Sequence, residues 1–245
     1  MNVKKYLMDG ISKGTLHMSL LDPDKQTPDE AARIALECKK AGTDAVMIGG
    51  STGVTQENLD ATAIAIKKAT GLPVIFFPGG PQALSPHCDA IYFMSMINST
   101  DLNYVMNAQI HTSLAIRKLG IEPISMGYIV VEPGMRVGEV GKADLIKRDD
   151  RKKAMSCALA AEYLGMSFVY LEAGSGADLP VPPEMVRAVK EILKVPLIVG
   201  GGIRTPEAAR AAREAGADAV VTGTFLERCN DSGLLNSVVK ASKGI

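Results

Sequence analysis

The amino-acid sequence predicts a (β/α)8 barrel, the TIM-barrel fold class, from three observations. Eight short apolar runs alternate with amphipathic stretches along the chain. The segments "KKAGTDAVMIGG" and "REAGADAVVTGT" nearly repeat one another, and each places a helix end before a buried strand. The length of 245 residues is close to the ~250 that such barrels typically take. A doubly wound sheet would share the alternation, but the internal repetition favours a closed barrel forming one domain over residues 1–245.

The predicted strands are the eight apolar runs themselves. Each is nearly continuous in apolar residues, as expected for a parallel strand that is buried on both faces. In chain order the runs are His17–Asp24, Asp44–Thr52, Pro73–Gly80, Asp89–Asn98, Pro123–Gly134, Ser167–Gly176, Pro196–Ile203 and Asp218–Phe225. Most of them end in small or polar residues, at the end of the barrel where active sites form.

Two of the predicted helices carry clear end signals. The stretch "TPDEAARIALECKKAG" begins with Thr27 as N-cap and Pro28 at the first helical position, and it stops at Gly42. The stretch "TPEAARAAREAG" repeats that design between Thr205 and Gly216. Helices alternating with buried strands indicate βαβ units.

The connection after the third strand is irregular. It consists of "PGGPQALSPHC", in which Pro81 and Pro86 leave no room for a full helix. The sequence therefore predicts a non-helical connection and a gap in the outer ring of helices. Two interpretations stay open: a compact loop variant, or a groove beside the barrel wall that takes a long apolar ligand.

A second unusual connection runs from Glu132 to Lys153. It is rich in glycine, and long loops of barrels often act as lids. A solvated surface loop is the alternative. Its cations, which would suit an anionic ligand, are Arg136, Lys142, Lys147, Arg148 and Arg151.

Composition and charge exclude several classes of protein. Lys+Arg and Asp+Glu both number 27, and a neutral chain without a basic block argues against nucleic-acid binding. No apolar run approaches the roughly 20 residues of a membrane span, and the N-terminus lacks a secretory signal. The four cysteines and three histidines are scattered, so a zinc site is not expected. Reduced thiols and a cytoplasmic location are the expectation.

The last two strands end in glycine-rich turns. They contribute Gly200, Gly201 and Gly202 from one strand, and Gly223 and Thr224 from the next. Barrels often bind a phosphate group at this place through bare backbone N–H groups. The alternative is that the glycines only turn the chain.

The first two strands end in residues that suit a hard cation. Asp22 emerges from the first strand in "LLDPDK", and Ser51 follows the second in "GGST". Mg²⁺ prefers oxygen ligands and takes few of them from the protein. We expect Asp22 to be a metal ligand, whereas Asp24 is better explained as the cap of the following turn.

The sixth strand ends in "YLEAGSG", which places a carboxylate beside the glycine turns. Side chains alternate along a strand, so Tyr170 and Glu172 share a face while Leu171 points the other way. If Leu171 packs against the helices, both polar groups face the lumen. There they would suit a hydroxyl-rich substrate, and Glu172 could take its proton. The alternative is a buried hydrogen-bonded pair without chemistry.

Seven motifs in order, "LLDPDK", "MIGGST", "FFPGG", "YIVVEPG", "YLEAGSG", "IVGGGIR" and "VVTGTF", resemble the geranylgeranylglyceryl phosphate synthase family across nearly the whole chain. Leu20, two residues before Asp22, resembles the larger-subunit archaeal branch rather than the related bacterial heptaprenylglyceryl phosphate synthases, which tend to have lysine there. The resemblance implies a TIM barrel without a regular third helix. It also implies Mg²⁺-dependent transfer of a geranylgeranyl group from geranylgeranyl diphosphate to the 3-hydroxyl of sn-glycerol 1-phosphate.

The resemblance also implies roles for individual residues. Asp22 and Ser51 would contact Mg²⁺, and Glu172, assisted by Tyr170, would be the base for the glycerol hydroxyl. The residues implied to hold glycerol phosphate are Tyr170, Leu171, Glu172, Ala173, Gly174, Ser175, Gly176, Gly200, Gly201, Gly202, Gly223 and Thr224.

Members of this branch are often dimers or hexamers, so a homo-oligomer is expected, with at most transient contact with a membrane surface. Two rival functions remain open. One is a phosphate-binding barrel isomerase or synthase, and the other is a barrel that binds a phosphorylated metabolite without chemistry.

Overall fold

The computed structural model describes residues 2–50, 53–80, 83–228 and 231–245. Eight parallel strands pair in chain order, and β8 returns to β1 to close a barrel. The predicted fold class is therefore confirmed. The strands are β1 Leu16–Leu21, β2 Ala45–Gly49, β3 Val74–Phe77, β4 Ala90–Met96, β5 Glu122–Val130, β6 Phe168–Glu172, β7 Leu197–Gly200 and β8 Ala219–Thr222.

Helices surround the barrel, and a π-helical segment, Asn103–Asn107, leads into one of them. The helices are α1 Val3–Ile11, α2 Pro28–Ala41, α3 Gln56–Thr70, α4 Ala108–Leu119, α5 Met135–Val140, α6 Arg151–Tyr163, α7 Pro183–Ile192, α8 Pro206–Glu214, α9 Thr224–Arg228 and α10 Ser232–Lys243. Within the described part of the chain, none of them has the length and apolar character needed to cross a membrane.

The predicted helix ends are found where the capping residues stand. The Thr27 side chain accepts a hydrogen bond from the backbone of Glu30 at the start of α2, and Thr205 does the same at the start of α8. Gly42 ends α2 with a φ of 113°, a conformation that favours glycine.

The core has two layers separated by the strands. Alternate strand residues such as Met18, Met126 and Ile198 fill the lumen. The other residues of the same strands, such as Ile129 and Val199, pack beneath the helices. This alternation fixes which side chains of each strand can reach a ligand at the mouth of the barrel.

Helix α1 closes the barrel at the amino ends of the strands. Val3 and Leu7 are buried among the lumen residues. The carboxylate of Glu122, at the start of β5, accepts hydrogen bonds from the backbone N–H groups of Val3 at 2.5 Å and Lys4 at 3.0 Å. These N–H groups have no partner within the helix, so Glu122 attaches α1 to the barrel.

An aspartate stands directly before β2, β4 and β8, and each makes the same contacts. It accepts a hydrogen bond from a backbone N–H at the start of the preceding strand, and it returns its own N–H to the carbonyl of that residue. It also pairs with a lysine of an outer helix. The three sets are His17, Asp44 and Lys243; Val74, Asp89 and Lys67; and Leu197, Asp218 and Lys190.

The connection from β3 to β4 contains no helix in residues 78–80 and 83–89. The predicted irregular connection is thus confirmed for these residues, while Pro81 lies outside the described part of the chain. Outward-facing residues of β4, such as Ile91 and Phe93, therefore lack the helix that covers the other strands, and a groove opens beside them.

Candidate active site

A pocket opens at the carboxyl ends of β6, β7 and β8, and we call it the polar pocket. Gly201 and Gly202, at its floor, have φ angles of 81° and 71°. Consecutive residues of this kind can present their N–H groups to an anion. The pocket is lined by Leu20, Tyr170, Glu172, Ser175, Gly176, Gly201, Gly202, Ile203, Arg204, Val221, Thr222, Gly223, Thr224, Phe225, Asp231 and Leu234.

Glu172 is a buried carboxylate at the inner end of the polar pocket, with 6% of its surface exposed. Its Oε1 accepts a hydrogen bond from the backbone N–H of Gly174 at 2.6 Å. Burial raises the pKa of Glu172, while hydrogen bonds from Gly174 and from the hydroxyls of Tyr170 and Tyr128 limit that rise. A carboxylate whose pKa is raised in a cleft has the properties of a general base.

The glycines after β7 make room for these two side chains. A Cβ on Gly200 would lie 2.9 Å from Cζ of Tyr170, so the phenol packs directly on the glycine backbone. A Cβ on Gly201 would lie 2.6 Å from the nitrogen of Gly174 and would also collide with the Glu172 carboxylate. Gly200 and Gly201 are therefore required by Tyr170 and Glu172 whether or not this turn binds a phosphate group.

An aromatic cluster lies below the carboxylate in the lumen. The rings of Tyr128 and Tyr170 are 5.1 Å apart, and Phe77 lies 5.5 Å from Tyr128 and 6.0 Å from Tyr92. Burial raises the pKa of both Tyr128 and Tyr170 well above the usual value, and the charge of Glu172 raises it further. Both hydroxyls therefore stay protonated and donate to Glu172 at neutral pH.

The outer rim of the polar pocket is formed by hydroxyls. Ser175 Oγ and Thr224 Oγ1 are 2.5 Å apart, and they join the loop after β6 to the start of α9. Hydroxyls and backbone N–H groups on one rim are the groups that proteins use to hold a phosphate ester.

The groove beside β4 is apolar along most of its length, and we call it the apolar groove. Residues of β4, α4, α5 and the helix-free connection line it. Its apolar lining consists of Leu20, Phe77, Pro78, Leu84, Ile91, Phe93, Met94, Met96, Tyr104, Ala108, Val137 and Val140. The structure shows a groove beside the irregular connection, and its occupation by a long apolar ligand stays a prediction.

The apolar groove and the polar pocket meet at one place. Leu20, Glu172 and Ser175 line both cavities. A ligand in the groove and a ligand in the pocket would therefore approach each other at the Glu172 carboxylate.

Asp22 also lines the apolar groove. Its side chain is 14% exposed, and it forms an ion pair with Lys25. In the described residues no three His, Cys, Asp or Glu side chains come together as a metal site. A single carboxylate still fits Mg²⁺, because that ion is commonly held by one or two carboxylates together with substrate phosphates. Ser51, the other predicted ligand, lies outside the described residues.

The predicted substrate residues divide into two groups. Eight of them line the polar pocket: Tyr170, Glu172, Ser175, Gly176, Gly201, Gly202, Gly223 and Thr224. The other four do not line it. Leu171 and Ala173 pack beneath the helices. Gly174 donates a hydrogen bond to Glu172, and Gly200 packs against Tyr170. As predicted from strand alternation, Leu171 faces outward while Tyr170 and Glu172 face inward.

Two residues of the site do not emerge from the sequence. Tyr128 sits within an apolar run and has the pattern of a core residue, yet the register pairs it with Tyr170 and brings its hydroxyl to Glu172. Arg204 follows the triple glycine after one residue, Ile203, and that position is a signal that could have pointed to it.

The loop from Glu132 to Lys153 forms one wall of the apolar groove through α5. Two of its cations are engaged elsewhere: Lys142 pairs with Asp101 at 2.8 Å and Arg136 with Glu139 at 3.3 Å. Whether this loop acts as a lid stays a prediction.

The chain is similar to known proteins along its whole length. The PcrB family model matches residues 9–242. Geranylgeranylglyceryl phosphate synthase of Thermoplasma acidophilum is 48% identical over 246 aligned residues, covering 100% of this chain and 97% of that protein. The synthase of Methanosarcina barkeri is 52% identical over 233 residues, covering 94% of each. The crystal structure of the T. acidophilum synthase in complex with its substrate sn-glycerol-1-phosphate has a TM-score of 0.97 with 100% of both chains covered. The chain therefore belongs to the PcrB family.

Proposed function

We propose that the chain transfers a geranylgeranyl group from geranylgeranyl diphosphate to the 3-hydroxyl of sn-glycerol 1-phosphate. Relatives that are 48% and 52% identical are named for this product, and one of them binds sn-glycerol-1-phosphate in its crystal structure. The observation that carries the proposal is the position of Glu172 where the two cavities meet. One cavity suits a small phosphate ester and the other suits a hydrocarbon chain.

The polar pocket holds the glycerol phosphate. Its phosphate group lies against the glycine turns after β7 and β8 and against the hydroxyls of Ser175 and Thr224, while its glycerol end faces Tyr170 and Glu172. The hydroxyl that reacts must reach the carboxylate oxygen within about 2.6–3.2 Å.

The reaction is alkylation of an alcohol. The 3-hydroxyl oxygen forms a bond to C1 of the prenyl chain as the bond from C1 to the diphosphate oxygen breaks, and the diphosphate leaves with the electron pair. The hydroxyl proton passes to Glu172. An alcohol does not ionise near neutral pH, so assistance by a base is expected to contribute about 10²–10⁴-fold.

In this proposal Asp22 would hold Mg²⁺, with Ser51 as the second protein contact. When bound, Mg²⁺ neutralises charge that develops on the diphosphate. Asp22 lies in the apolar groove where the head of a prenyl diphosphate would sit, and this placement supports the assignment.

The proposal is tested by product analysis. The purified chain is incubated with sn-glycerol 1-phosphate, Mg²⁺ and prenyl diphosphates of 10, 15, 20 and 35 carbons, and the ether is identified by mass. We expect the geranylgeranyl ether as the main product. Preference for another chain length would correct the substrate, and no ether from any donor would overturn the function.

The chain is also proposed to form a homo-oligomer. Four exposed apolar side chains recur every fourth residue along the π-helical segment and α4: Leu102, Met106, Ile110 and Leu114. No Asp, Glu, Lys or Arg occurs between Leu102 and Leu114. Such a face can lie against a copy of itself without like-charge repulsion, as a two-fold interface requires.

A cytoplasmic location and at most transient contact with a membrane surface belong to the same proposal. Cys38 and Cys88 are buried free thiols, which supports a reducing compartment.

A further inference from the structure

Arg204 lies between β7 and α8, at the boundary of the polar pocket. Its Nη2 donates hydrogen bonds to the carbonyls of Gly176, at 3.3 Å, and Ala177, and to Oδ1 of Asp178 at 3.1 Å. All three acceptors belong to the loop that follows Ser175. One nitrogen of the guanidinium therefore fixes the loop that forms a wall of the pocket.

The same loop is held at its far end. Nη2 of Arg148 donates to the carbonyl of Pro180 at 2.8 Å. The backbone of Gly202 lies so close to Leu179 that a Cβ on the glycine would come within 2.8 Å of it. The turn after β7 and the loop after β6 thus form one packed unit, and Arg204 is its link at the phosphate end.

Nε and Nη1 of Arg204 take no part in these hydrogen bonds to the loop. Among the described residues, no hydrogen bond or ion pair engages its Nε or Nη1. The charge of Asp178, whose side chain is 99% exposed, is strongly screened by water. A guanidinium presents several donors in a rigid fork that matches phosphate geometry.

We infer that Arg204 is the phosphate-binding cation of the polar pocket and the positioning residue for its wall. Nη2 holds residues 176–178, and the other N–H groups of the guanidinium meet the phosphate group of the substrate. This inference rests on the proposed function, and it names the charged group that complements the backbone donors of the glycine turns.

The test compares binding and catalysis in Arg204→Met and Arg204→Lys with Arg210→Met, an exposed arginine of α8. For Arg204→Met we expect the Kd and KM for sn-glycerol 1-phosphate to rise about 10- to 100-fold, with kcat changed less than about threefold. Arg204→Lys should recover part of the affinity because it keeps the charge but not the fork. Arg210→Met should match the wild type.

A second readout is independent of turnover. Hydrogen exchange of the ligand-free protein should rise in residues 175–180 of Arg204→Met and stay unchanged elsewhere. Wild-type affinity for glycerol phosphate in Arg204→Met would overturn the inference and leave the proposed function standing. A wild-type chain that binds neither glycerol phosphate nor inorganic phosphate would overturn both.

Discussion

Glu172 shows how the fold alters one carboxylate. Burial raises its pKa, and three hydrogen-bond donors limit that rise. The orientation of Glu172 follows from strand alternation alone, so the sequence predicts it. The contribution of Tyr128 does not follow, because it depends on the register between β5 and β6, which no local pattern encodes.

Glu172→Gln tests the assignment of the base. The amide keeps the size of the side chain but cannot take the proton, so we expect kcat to fall about 10²–10⁴-fold with the Kd for glycerol phosphate nearly unchanged. Steady-state kinetics and calorimetry measure the two quantities. Unchanged kcat would show that another group is the base.

The raised pKa of Glu172 also predicts opposite effects of pH on activity and stability. Activity requires the carboxylate, so it should fall as pH drops through the raised pKa. Because the pKa of Glu172 is higher in the folded state than in the unfolded chain, protonated Glu172 increases the free energy of unfolding at low pH. This increase is lost as the pH rises through the raised pKa. Glu172→Gln should therefore be at least as stable as the wild type at pH 7 in urea unfolding. A clearly less stable variant would contradict this.

Asp22 is expected to be needed for the metal and not for the fold. Asp22→Ala should lower Mg²⁺-dependent turnover on the order of 10²–10³-fold without changing the circular dichroism spectrum. Asp24→Asn, a neighbouring carboxylate that does not line the groove, is the control and should titrate with Mg²⁺ like the wild type. If Asp22→Ala also does so, the metal lies elsewhere.

Alanine variants of Gly201 and Gly71 distinguish the effect of backbone strain from the effect of a steric collision. Gly201→Ala would strain a φ of 81° by roughly 1–2 kcal/mol and drive a methyl group into the Glu172 carboxylate. Gly71, with a φ of 65° and open space around it, isolates the strain. Both Ala variants should lower the free energy of unfolding, but only Gly201→Ala should also abolish turnover. Full activity in Gly201→Ala would show that the carboxylate position is not critical.

At the scale of elements, the strands and the capped helices follow from the sequence. Continuous apolar runs locate all eight strands, and the Thr-Pro starts locate α2 and α8. The π-helical segment and α4 do not follow. No side chain caps either of them, and the apolar residues that recur at every fourth position are exposed, so the sequence does not show which face packs on the barrel.

The repeated aspartates give the near-copies in the sequence a structural role. Asp218 joins the starts of β7 and β8 through reciprocal hydrogen bonds, with its carboxylate oxygen 2.7 Å from the nitrogen of Leu197. The carboxylate before β2 and the one before β4 do the same for their strands. The aspartate of the shared Asp-Ala dipeptide thus makes a contact that sets the register between paired strands.

Asp218→Ala should lower stability without affecting catalysis. The change leaves the N–H of Leu197 without its acceptor, at a cost of about 1–3 kcal/mol, yet it lies at the opposite end of the barrel from Glu172. Asp9→Ala, which removes only an exposed ion pair with Lys5, should cost less than about 1 kcal/mol. Urea unfolding and kcat are measured for both. Equal losses of stability, or a lower kcat for Asp218→Ala, would contradict the expectation.

At the scale of the molecule, the missing outer helix leaves room for the apolar groove beside β4. The prolines in the sequence predict the missing helix, but the groove becomes visible only when α4 and α5 are placed beside it. The sequence could not place them, because neither α4 nor α5 begins with a side-chain cap.

The prediction about assembly rests on the four exposed apolar side chains Leu102, Met106, Ile110 and Leu114. Ile110→Glu should reduce the mass measured by light scattering, because it places a charge in the centre of the proposed interface. Ile64→Glu changes an exposed isoleucine of α3 that is outside this set, and it should leave the mass unchanged. A monomeric wild-type chain would contradict the proposed homo-oligomer.

The meeting of the two cavities at Glu172 has a consequence for the end of the catalytic cycle. The ether product is a single molecule with a phosphate head in one cavity and an oily tail in the other. It keeps the contacts that both substrates made separately, and only diphosphate has left. Release of this amphiphile, rather than bond formation, is therefore expected to be rate-limiting. Lipid micelles, which can take up the product, should increase turnover.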